Sequence, residues 1–407
     1  MIKLVILTDD LTGALDSGVQ LSKSGIKTLV TLKVNFNVPA DYEVLVIDLQ
    51  SRHLPKEKAY NEVFKAAEAA YRNGVQHVYK KVDSALRGNI GAELEALLNA
   101  SGVKRLLFIP AYPKNNRITV DGVHWINGVK AGESTFSKDP FEPVRHSKIS
   151  DIISEQSKVH VTSSVNKISA EPVIEVLDAI SEEDLERIAS GLSFDAMPRA
   201  LAGCAGFAAY LPKLISFKKT MNSPIKKFKS VLVISGSLNP AAIRQAKWAK
   251  DHGYPVFTLT REQKLMTDYW RINRTDHLLA EVSQALENKG FAIIETVKSE
   301  KESQDQLAGL NRSDLEKQRQ EVQLNLSALT GFLLKNTTVD ALVIVGGDTF
   351  RGILDNLEAD QIIPIDEIEP GVVISQIQGN PMGLHLVTKS GGFGQDNIFY
   401  AIQKFLN

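Results

Sequence analysis

Short apolar segments alternate with stretches of helical periodicity in the first half of the chain. The apolar segments, of the length and character expected for buried parallel strands, are residues 3–8, 44–48, 77–82 and 105–109. Between them, residues 55–72 and 89–99 have the spacing of amphipathic helices. In the second of these, Ile90, Leu94, Leu97 and Leu98 share one face. The pattern predicts a parallel sheet with helices packed on it.

The alternation restarts in the second half. Its predicted strands are residues 231–234, 256–259, 292–297, 341–345 and 384–387, and residues 311–335 form a long predicted helix. Between the two halves, residues 212–229 contain six lysines, two prolines and no acidic residue, a composition typical of a connection between domains. We therefore expect an α/β protein of two domains, 1–211 and 230–407, joined by a linker at 212–229. Each domain should be a mainly parallel sheet flanked by helices, with an active-site cleft between them.

The amino-acid composition indicates in which cellular compartment the protein works and which classes of partner it can bind. Lys and Arg number 47 and Asp and Glu 48, so the chain has no net positive field to attract nucleic acid or anionic lipid. The single cysteine, Cys204, forms no intrachain disulfide and no cysteine-based zinc site. The apolar run at residues 4–7 is cut off by Asp9 and Asp10, which makes it too short for a signal-peptide core. We expect a cytoplasmic protein with small-molecule partners, without nucleic-acid or membrane binding. A homo-oligomer is compatible with the sequence.

Paired carboxylates follow the first predicted strand. Asp9 and Asp10 lie where that strand ends and a helix begins, at the edge where open α/β sheets bind ligands. Two interpretations stand here. Asp10 caps the following helix and Gly13 allows close helix packing, or the pair takes part in a functional site.

Charged residues are concentrated in the segment KKVDSALRGN, residues 80–89, where a predicted strand ends and a helix begins near Asn89. Strand alternation places Lys81 and Asp83 on one face and Lys80 on the other. One interpretation is a Lys81–Asp83 ion pair with a solvated Arg87. The other is a pocket for a carboxylate or phosphate, with Arg87 supplying a planar fork of donors.

The next loop offers further polar groups. Residues 110–136 contain two hairpin turn signals, at 121–122 and 127–128, and should form a small β excursion. Its side chains Lys114, Asn115, Asn116 and Arg117 are suited to donate hydrogen bonds to a polyol acid.

Three segments of the second half have the order apolar strand, Gly/Ser turn, helix: residues 231–240, 342–354 and 386–397. Glycine turns let backbone N–H groups approach phosphate closely, and the helix N-terminus adds a favourable dipole. Together they predict a nucleotide site. Asp348 either caps its helix or holds Mg²⁺ through water. The Walker A, G-x-S-x-G, H-E-x-x-H and dinucleotide-binding signatures are absent from the sequence, which disfavours hydrolase, zinc-protease and dehydrogenase functions.

These motifs resemble, over nearly the whole chain, the four-carbon acid sugar kinase family. The sugar-binding half of that family is similar to residues 9–18 (DDLTGALDSG), 80–89, 110–129 and 139–144 (DPFEPV). Its nucleotide-binding half is similar to residues 346–349 (GGDT) and 389–394 (KSGGFG). The resemblance implies an ATP-dependent kinase that phosphorylates the terminal (C4) hydroxyl of threonate, erythronate or 3-oxo-tetronate.

The resemblance also implies site residues. Nucleotide contacts would fall on Ser235 or Ser237, Gly346, Gly347, Asp348, Thr349, Gly391, Gly392 and Gly394. Two positions depart from the family pattern: Gly392 stands where G-N-F-G is frequent, and Leu238 and Asn239 stand where S-G-S-C-S is common. The backbone cradle is compatible with both departures.

The resulting hypothesis places the sugar acid on the first domain and MgATP on the second, brought together by closure. Asp10 or Asp83 would orient the hydroxyl and accept its proton, while Lys81 and Arg87 would bind the substrate carboxylate or the developing charge. The substrate-binding set is Asp9, Asp10, Lys81, Asp83, Arg87, Asn89, Asn116 and Arg117. The alternative hypothesis is a two-lobed protein that binds or senses a sugar acid without chemistry.

Overall fold

The computed structural model describes residues 1–139, 141–163, 171–192, 198–220, 225, 227–379 and 383–406. It divides into two compact units, Met1–Asn222 and Ser223–Asn407. Residues 221–224 and 226 of the predicted linker, and Pro140 of the DPFEPV motif, lie outside the described residues. The segment predicted as a linker, residues 212–229, begins within a short helix, Leu211–Leu214. Two of its residues, Ile215 and Phe228, are buried.

Unit 1 is built on a parallel sheet whose strands follow the order β2-β3-β1-β4-β11-β5-β10-β9, with a small antiparallel sheet β6-β7-β8 beside it. The strands are β1 Leu4–Thr8, β2 Thr28–Thr31, β3 Val44–Asp48, β4 His77–Lys81, β5 Arg105–Ile109, β6 Arg117–Val120, β7 Val123–Ile126, β8 Val129–Lys130, β9 His160–Thr162, β10 Val173–Val176 and β11 Ala200–Gly203. The predicted hairpin turns are confirmed: Asp121–Gly122 and Asn127–Gly128 all have positive φ.

Helices pack against this sheet through buried apolar side chains. They are α1 Leu11–Ser22, α2 Lys56–Arg72, α3 Ile90–Ser101, α4 Ile149–Ser154, α5 Glu182–Gly191, α6 Ala205–Ala208 and α7 Leu211–Leu214, with 3₁₀ turns at Pro113–Asn115, Ala131–Glu133 and Thr135–Lys138. The predicted face of α3 is buried as expected, since Ile90, Leu94, Leu97 and Leu98 are at most 1% exposed. Helix α2 contributes a stripe of small residues, which includes Ala59, Ala66 and Ala70.

Unit 2 has strands in the order β13-β14-β12-β15-β18-β17-β16. They are β12 Val231–Ser235, β13 Val256–Thr258, β14 Phe291–Glu295, β15 Ala341–Val345, β16 Gln361–Glu369, β17 Val372–Ile377 and β18 His385–Lys389. The helices are α8 Pro240–Asp251, α9 Arg261–Leu265, α10 Tyr269–Ile272, α11 His277–Lys289, α12 Glu300–Leu307, α13 Arg312–Asn336, α14 Gly347–Asn356 and α15 Ile398–Leu406. Among the described helices, none combines the length and apolar character needed to cross a bilayer.

The fold class is confirmed: two α/β domains, each with a mainly parallel sheet. The hairpin of β16 and β17 is an element that the sequence patterns did not predict. These strands run antiparallel to each other, and β17 runs antiparallel to β18. Their pattern is hard to detect because β16 contains Pro364 and mixes charged with apolar side chains, unlike the continuous apolar strands of the parallel region.

Candidate functional sites of the two units

The carboxyl ends of three neighbouring strands bring the charged residues of unit 1 together. Strand β1 pairs with β3 on one side and β4 on the other, with Thr8 opposite both Asp48 and Lys81. Asp9 and Asp10 therefore follow β1 at the same edge where Asp83 follows β4. We call Asp9, Asp10 and Asp83 the carboxylate cluster.

Arg52, which sequence reasoning missed, lies at the centre of this cluster. Its Nε is 2.7 Å from Asp9 Oδ2, and its Nη2 is 2.8 Å from Asp10 Oδ1 and 3.6 Å from Asp83 Oδ1. Burial opposes its charge, but the three carboxylates outweigh that effect and raise the pKa of Arg52 well above its ordinary value. The sequence does indicate that Arg52 follows the strand at residues 44–48 by four positions. The loop that contains Arg52 therefore begins at the same carboxyl edge of the sheet, and this position could have identified it. One guanidinium group thus fixes three carboxylates.

Arg87 is paired rather than solvated. Its Nε and Nη2 lie 2.8 and 3.1 Å from the two carboxylate oxygens of Asp83, and its Nη1 lies 3.2 Å from Asp139. The interpretation in which Lys81 pairs with Asp83 and leaves Arg87 in solvent is therefore wrong. Burial alone would raise the pKa of Asp83, but Arg87 and Arg52 hold it well below its usual range. Asp139, the first residue of the DPFEPV motif, is a further site residue that the sequence did not single out.

The ammonium group of Lys81 lies close to Gly13 at the start of helix α1 and to the carboxylate cluster. Its Nζ is 3.9 Å from Asp9 Oδ1, a buried atom for which the described residues provide no hydrogen-bond donor. Burial opposes the charge of Lys81, but Asp9 and Asp10 raise its pKa. A Cβ on Gly13 would lie 2.3 Å from Lys81 Nζ and 2.5 Å from Asp10 Oδ1. Gly13 is therefore required for the approach of these charged groups, not only for helix packing.

Asp10 takes both of the roles that the sequence left open. It is the N-cap of α1 and accepts a hydrogen bond from Gly13 N at 3.1 Å, while its carboxylate also contacts Arg52. Its side chain is 23% exposed, against 3% for Asp9 and 11% for Asp83. Asp10 is the most accessible carboxylate of the cluster.

Lys80 points to the opposite face of the strand, as alternation predicts. Its Nζ lies 2.9 Å from Glu93 Oε2 of helix α3, and both side chains are at most 1% exposed. This buried ion pair links helix α3 to strand β4, on the face of the sheet opposite to that of Lys81.

The remaining predicted substrate residues lie in different environments. The Asn89 amide group donates to the carbonyls of Ser51, Arg52 and Leu54, so it holds the loop that carries Arg52. Arg117 is buried, and its guanidinium lies 5.8 Å from the ring of Phe136, which Arg87 also approaches at 5.2 Å. Asn116 is exposed beside a 3₁₀ turn.

In unit 2, the three glycine turns meet at one edge of the sheet. They follow β12, β15 and β18, which are neighbours with Ser235, Val345 and Lys389 in register. A Cβ on Gly236 would lie 2.1 Å from Thr349 Oγ1, and one on Gly391 would lie 2.1 Å from Ser237 Oγ. The turns are therefore in direct contact. Their glycines leave room that a side chain would fill.

Individual residues of these turns differ in accessibility. Ser235 and Thr349 are buried, whereas Ser237, Gly346, Gly347 and Gly391 are partly exposed, and Asp348, Gly392 and Gly394 are exposed. Gly346 has a φ of 113° and is the N-cap of α14 without a side-chain cap, so the interpretation of Asp348 as a capping residue is wrong. Asp348 lies instead in the first helical turn, 3.7 Å from Arg319 Nη1.

Lys389 supports the third turn and was missed in the sequence. Its buried ammonium group donates to the carbonyls of Ser390, Gly391 and Phe393 at 3.0, 3.4 and 2.9 Å. Gln245 of α8 donates to Phe393 and Gly394. Burial lowers the pKa of Lys389 to about 7.

Asn239 accounts for one departure from the family pattern, because it caps α8 by accepting a hydrogen bond from Ala241 N at 2.9 Å.

Comparison with known proteins agrees with this division. Residues 4–211 match the sugar-binding N-terminal domain family, and residues 232–399 match the nucleotide-binding C-terminal domain family. The chain belongs to the four-carbon acid sugar kinase family. The family prediction from the sequence motifs is therefore confirmed, and with it the enzyme class of sugar acid kinase.

Relatives in this family are similar over almost their full length. The chain is 29% identical to a D-threonate kinase of Salmonella typhimurium, over 97% of this chain and 96% of the relative. It is 27% identical to a D-erythronate kinase of Heliobacterium modesticaldum (100% and 99% covered) and 25% identical to a 3-oxo-tetronate kinase of Brucella melitensis (100% and 96%).

The fold is also that of solved structures. A Salmonella typhimurium LT2 protein superposes with a TM-score of 0.79 at 22% identity, covering 99% of each chain. A Haemophilus influenzae protein superposes with a TM-score of 0.72 at 23% identity, covering 99% of this chain and 100% of that chain.

Proposed function

We propose that this protein transfers the γ-phosphoryl group of ATP to the terminal, C4 hydroxyl of a four-carbon sugar acid such as threonate, erythronate or 3-oxo-tetronate. The observation that carries the proposal is the contact among three glycine turns on neighbouring strands of the nucleotide-binding unit. Such turns offer backbone N–H groups to a polyphosphate. The proposal assigns the acid to residues 1–211 and the nucleotide to residues 230–407, with 212–229 as linker.

The carboxylate cluster supplies the acceptor side of the reaction. We assign proton acceptance from the C4 hydroxyl to Asp10, because it is the most exposed of the three carboxylates. Asp83 is held ionised by two guanidinium groups, and its depressed pKa makes it a weak base. Its role is to position Arg87.

Charge compensation comes from the basic residues around the cluster. Arg87, 22% exposed, is placed to bind the substrate carboxylate, with Arg117 behind the ring of Phe136 and Asn116 at the exposed turn as further donors. Lys81 and Arg52 neutralise the buried aspartates. Asp9 and Asn89 hold Lys81 and the Arg52 loop, respectively, in place. Catalysis of this kind depends on positioning and electrostatics, since phosphoryl transfer needs little covalent help from the protein.

On the donor side, phosphates would contact the turns that contain Ser235, Ser237, Gly346, Gly347, Thr349, Gly391, Gly392 and Gly394. Among the described residues, no group of three or more His, Cys, Asp or Glu side chains is arranged so that it could hold a metal ion. Mg²⁺ in kinases, however, is held by one or two carboxylates together with phosphate oxygens. The exposed Asp348 beside Gly347 fits that requirement. When bound, Mg²⁺ would neutralise charge on the β- and γ-phosphates.

The test is a panel of D- and L-threonate, D- and L-erythronate and 3-oxo-tetronate with MgATP, in which ADP release is measured and the product is located by ³¹P–¹H NMR. We expect at least one acid to stimulate ADP release and to carry phosphate on C4. An acid that binds without stimulating turnover would favour the non-catalytic binding protein. A phosphate on another carbon would overturn the C4 assignment.

Two variants test the base. Asp10→Asn should lower kcat by about two to four orders of magnitude with the fold intact, the typical contribution of a general base. Asp151→Asn, at an exposed position of α4, is the matched control. Full kcat in Asp10→Asn would reject the assignment of Asp10.

A further inference from the structure

A buried histidine of the small antiparallel sheet contacts the loop between Asp83 and Arg87 and has no role in the function described so far. His124 lies on β7, opposite Thr119 of β6, and both side chains are fully buried. Its Nε2 is 2.9 Å from the carbonyl oxygen of Ser84, and its Nδ1 is 3.3 Å from Thr119 Oγ1. The three residues therefore form a chain of two hydrogen bonds that ends on the residue after Asp83.

The loop Asp83–Arg87 has a backbone conformation that its surroundings must maintain. Leu86 has a φ of 64°, in the left-handed region that non-glycine residues seldom adopt. The Leu86 N–H donates to Asp83 O at 2.9 Å, which closes a tight turn. A conformation of this kind persists only where the neighbouring structure holds it. The imidazole of His124 supplies one such contact, and the packing of Ala85 into a small apolar cluster supplies another.

The chemistry of its partners fixes which nitrogen of His124 carries the proton. A carbonyl oxygen only accepts, so Nε2 donates to Ser84 O, and the Thr119 hydroxyl donates to Nδ1. Burial lowers the pKa of His124 to about 4, against the opposing effect of the hydrogen bond to Ser84. Of the charged groups near the ring, Arg117 also lowers this pKa and Asp83 raises it. The ring is therefore neutral near pH 7, and because it has no exposed surface it acts on the loop and not on a substrate.

We propose that His124 is a positioning residue for the acceptor site, which fixes the Asp83–Arg87 ion pair through the carbonyl of the intervening Ser84. The proposal rests on the proposed function, because it takes Arg87 as the group that binds the carboxylate of the sugar acid. It adds that the small antiparallel sheet determines how well that carboxylate is bound. Since all of these residues belong to unit 1, the affinity for the nucleotide should not depend on His124.

Steady-state kinetics of two variants at this position test the proposal. His124→Leu removes the donor and keeps a side chain of similar size, whereas His124→Gln retains an N–H donor for Ser84 O. We expect His124→Leu to raise the KM for the sugar acid roughly 10- to 100-fold, the scale that a misplaced binding group produces, with the KM for MgATP unchanged. His124→Gln should restore most of the affinity for the acid.

His77→Leu is the matched control. His77 begins β4, at the end of the strand opposite to Asp83, and its Nδ1 lies 3.3 Å from the carbonyl oxygen of Pro198. The control therefore loses a similar contact between a histidine and a carbonyl group, and the KM for the sugar acid should stay at its wild-type value. If His77→Leu raises that KM as much as His124→Leu does, the effect is a general loosening of unit 1 and the proposal is overturned.

The outcomes separate this proposal from the proposed function. If the wild type phosphorylates a sugar acid and His124→Leu has a normal KM for it, the role of His124 is overturned and the proposed function stands, even where the variant is less stable. If His124→Leu does not fold, Thr119→Val removes only the donor to Nδ1 and should raise the same KM by a smaller factor; an unchanged KM there overturns the proposal. If the wild type phosphorylates none of the acids, both proposals fail.

A second measurement needs neither turnover nor a loss of the ring. In wild-type protein labelled with ¹⁵N-histidine, long-range ¹H–¹⁵N correlation should show His124 as the neutral Nε2–H tautomer from about pH 5.5 to about pH 8, outside the range in which a buried ring of low pKa titrates. The His124 signals are assigned by their absence in His124→Gln. A neutral ring protonated at Nδ1, or one that titrates in this range, would show that Nε2 does not hold Ser84 as proposed and would overturn the role of His124.

Discussion

The two candidate sites are built from different parts of the polypeptide, side chains in unit 1 and backbone in unit 2. The site of unit 1 is made of side chains: three carboxylates, two arginines and a lysine, nearly all buried and paired with one another. The site of unit 2 is made mainly of backbone, with glycine turns whose lack of side chains creates the space. The first therefore depends on charge balance and the second on steric clearance. Substitutions should affect them through different kinds of energy.

The largest effect is expected from unbalancing the carboxylate cluster. Arg52→Met leaves Asp9, Asp10 and Asp83 without their shared counter-charge, and removing one partner of a buried ion pair costs about 3–5 kcal/mol. Urea denaturation should show a loss of this size in the free energy of unfolding. Arg52→Lys, which keeps the charge but not the planar fork, should lose less. Equal losses in the two variants would show that the shape of the side chain, not its charge, matters at this position.

The next effect concerns pH. Because the pKa of Lys389 is about 7 in the folded protein and near 10.5 in the unfolded chain, the unfolded state binds more protons between these values. This group therefore makes the protein more stable as pH rises, by at most about 1.4 kcal/mol per pH unit. The measurement is the difference in the free energy of unfolding between wild type and Lys389→Met at several pH values from about pH 7 upward. A difference that is constant with pH would contradict the depressed pKa.

A smaller effect should follow from filling the space between the turns. Gly236→Ala would place a methyl group 2.1 Å from Thr349 Oγ1, and such overpacking costs about 1–3 kcal/mol. We expect this loss in thermal or urea unfolding, together with weaker nucleotide binding. Gly191→Ala is the control, since a Cβ there meets nothing within 4 Å. If both variants behave alike, the contact between turns is not tight.

The smallest effect tests the cap at the serine turn. Asn239→Ala removes the acceptor for Ala241 N and should lower stability by about 1 kcal/mol. Asn239→Ser, which retains a capping oxygen, should recover most of that loss. A stable Asn239→Ala variant would mean that Pro240 alone sets the start of α8.

The sequence predicted the backbone site better than the side-chain site, for a physical reason. Gly346, Gly391 and their preceding apolar strands are contiguous in the chain, so strand, turn and helix can be recognised together. Arg52, in contrast, meets Asp83 only because crossovers place β3 beside β1 and β1 beside β4. Asp139 contacts Arg87 from a position 52 residues further along the chain. No local pattern encodes that neighbourhood.

The contacts of Lys389 could not be predicted from the sequence for a related reason. In the segment KSGGFG the glycines are the residues that indicate a phosphate turn, and a lysine that ends a strand is ordinarily solvated. Its three carbonyl acceptors exist only because the chain turns back over its own side chain. The β16–β17 hairpin was missed because mixed polar and apolar strands at the antiparallel side of a sheet lack the continuous apolar signal of β12 or β15.

The Lys80–Glu93 pair beneath the sheet has an evolutionary consequence. Each partner is almost fully buried, so replacing either one alone leaves the charge of the other without a partner in the protein interior. An apolar pair of similar volume could fold equally well, but single-step mutational routes to it pass through a poorly stable intermediate. The two positions are therefore expected to persist or to change together during divergence.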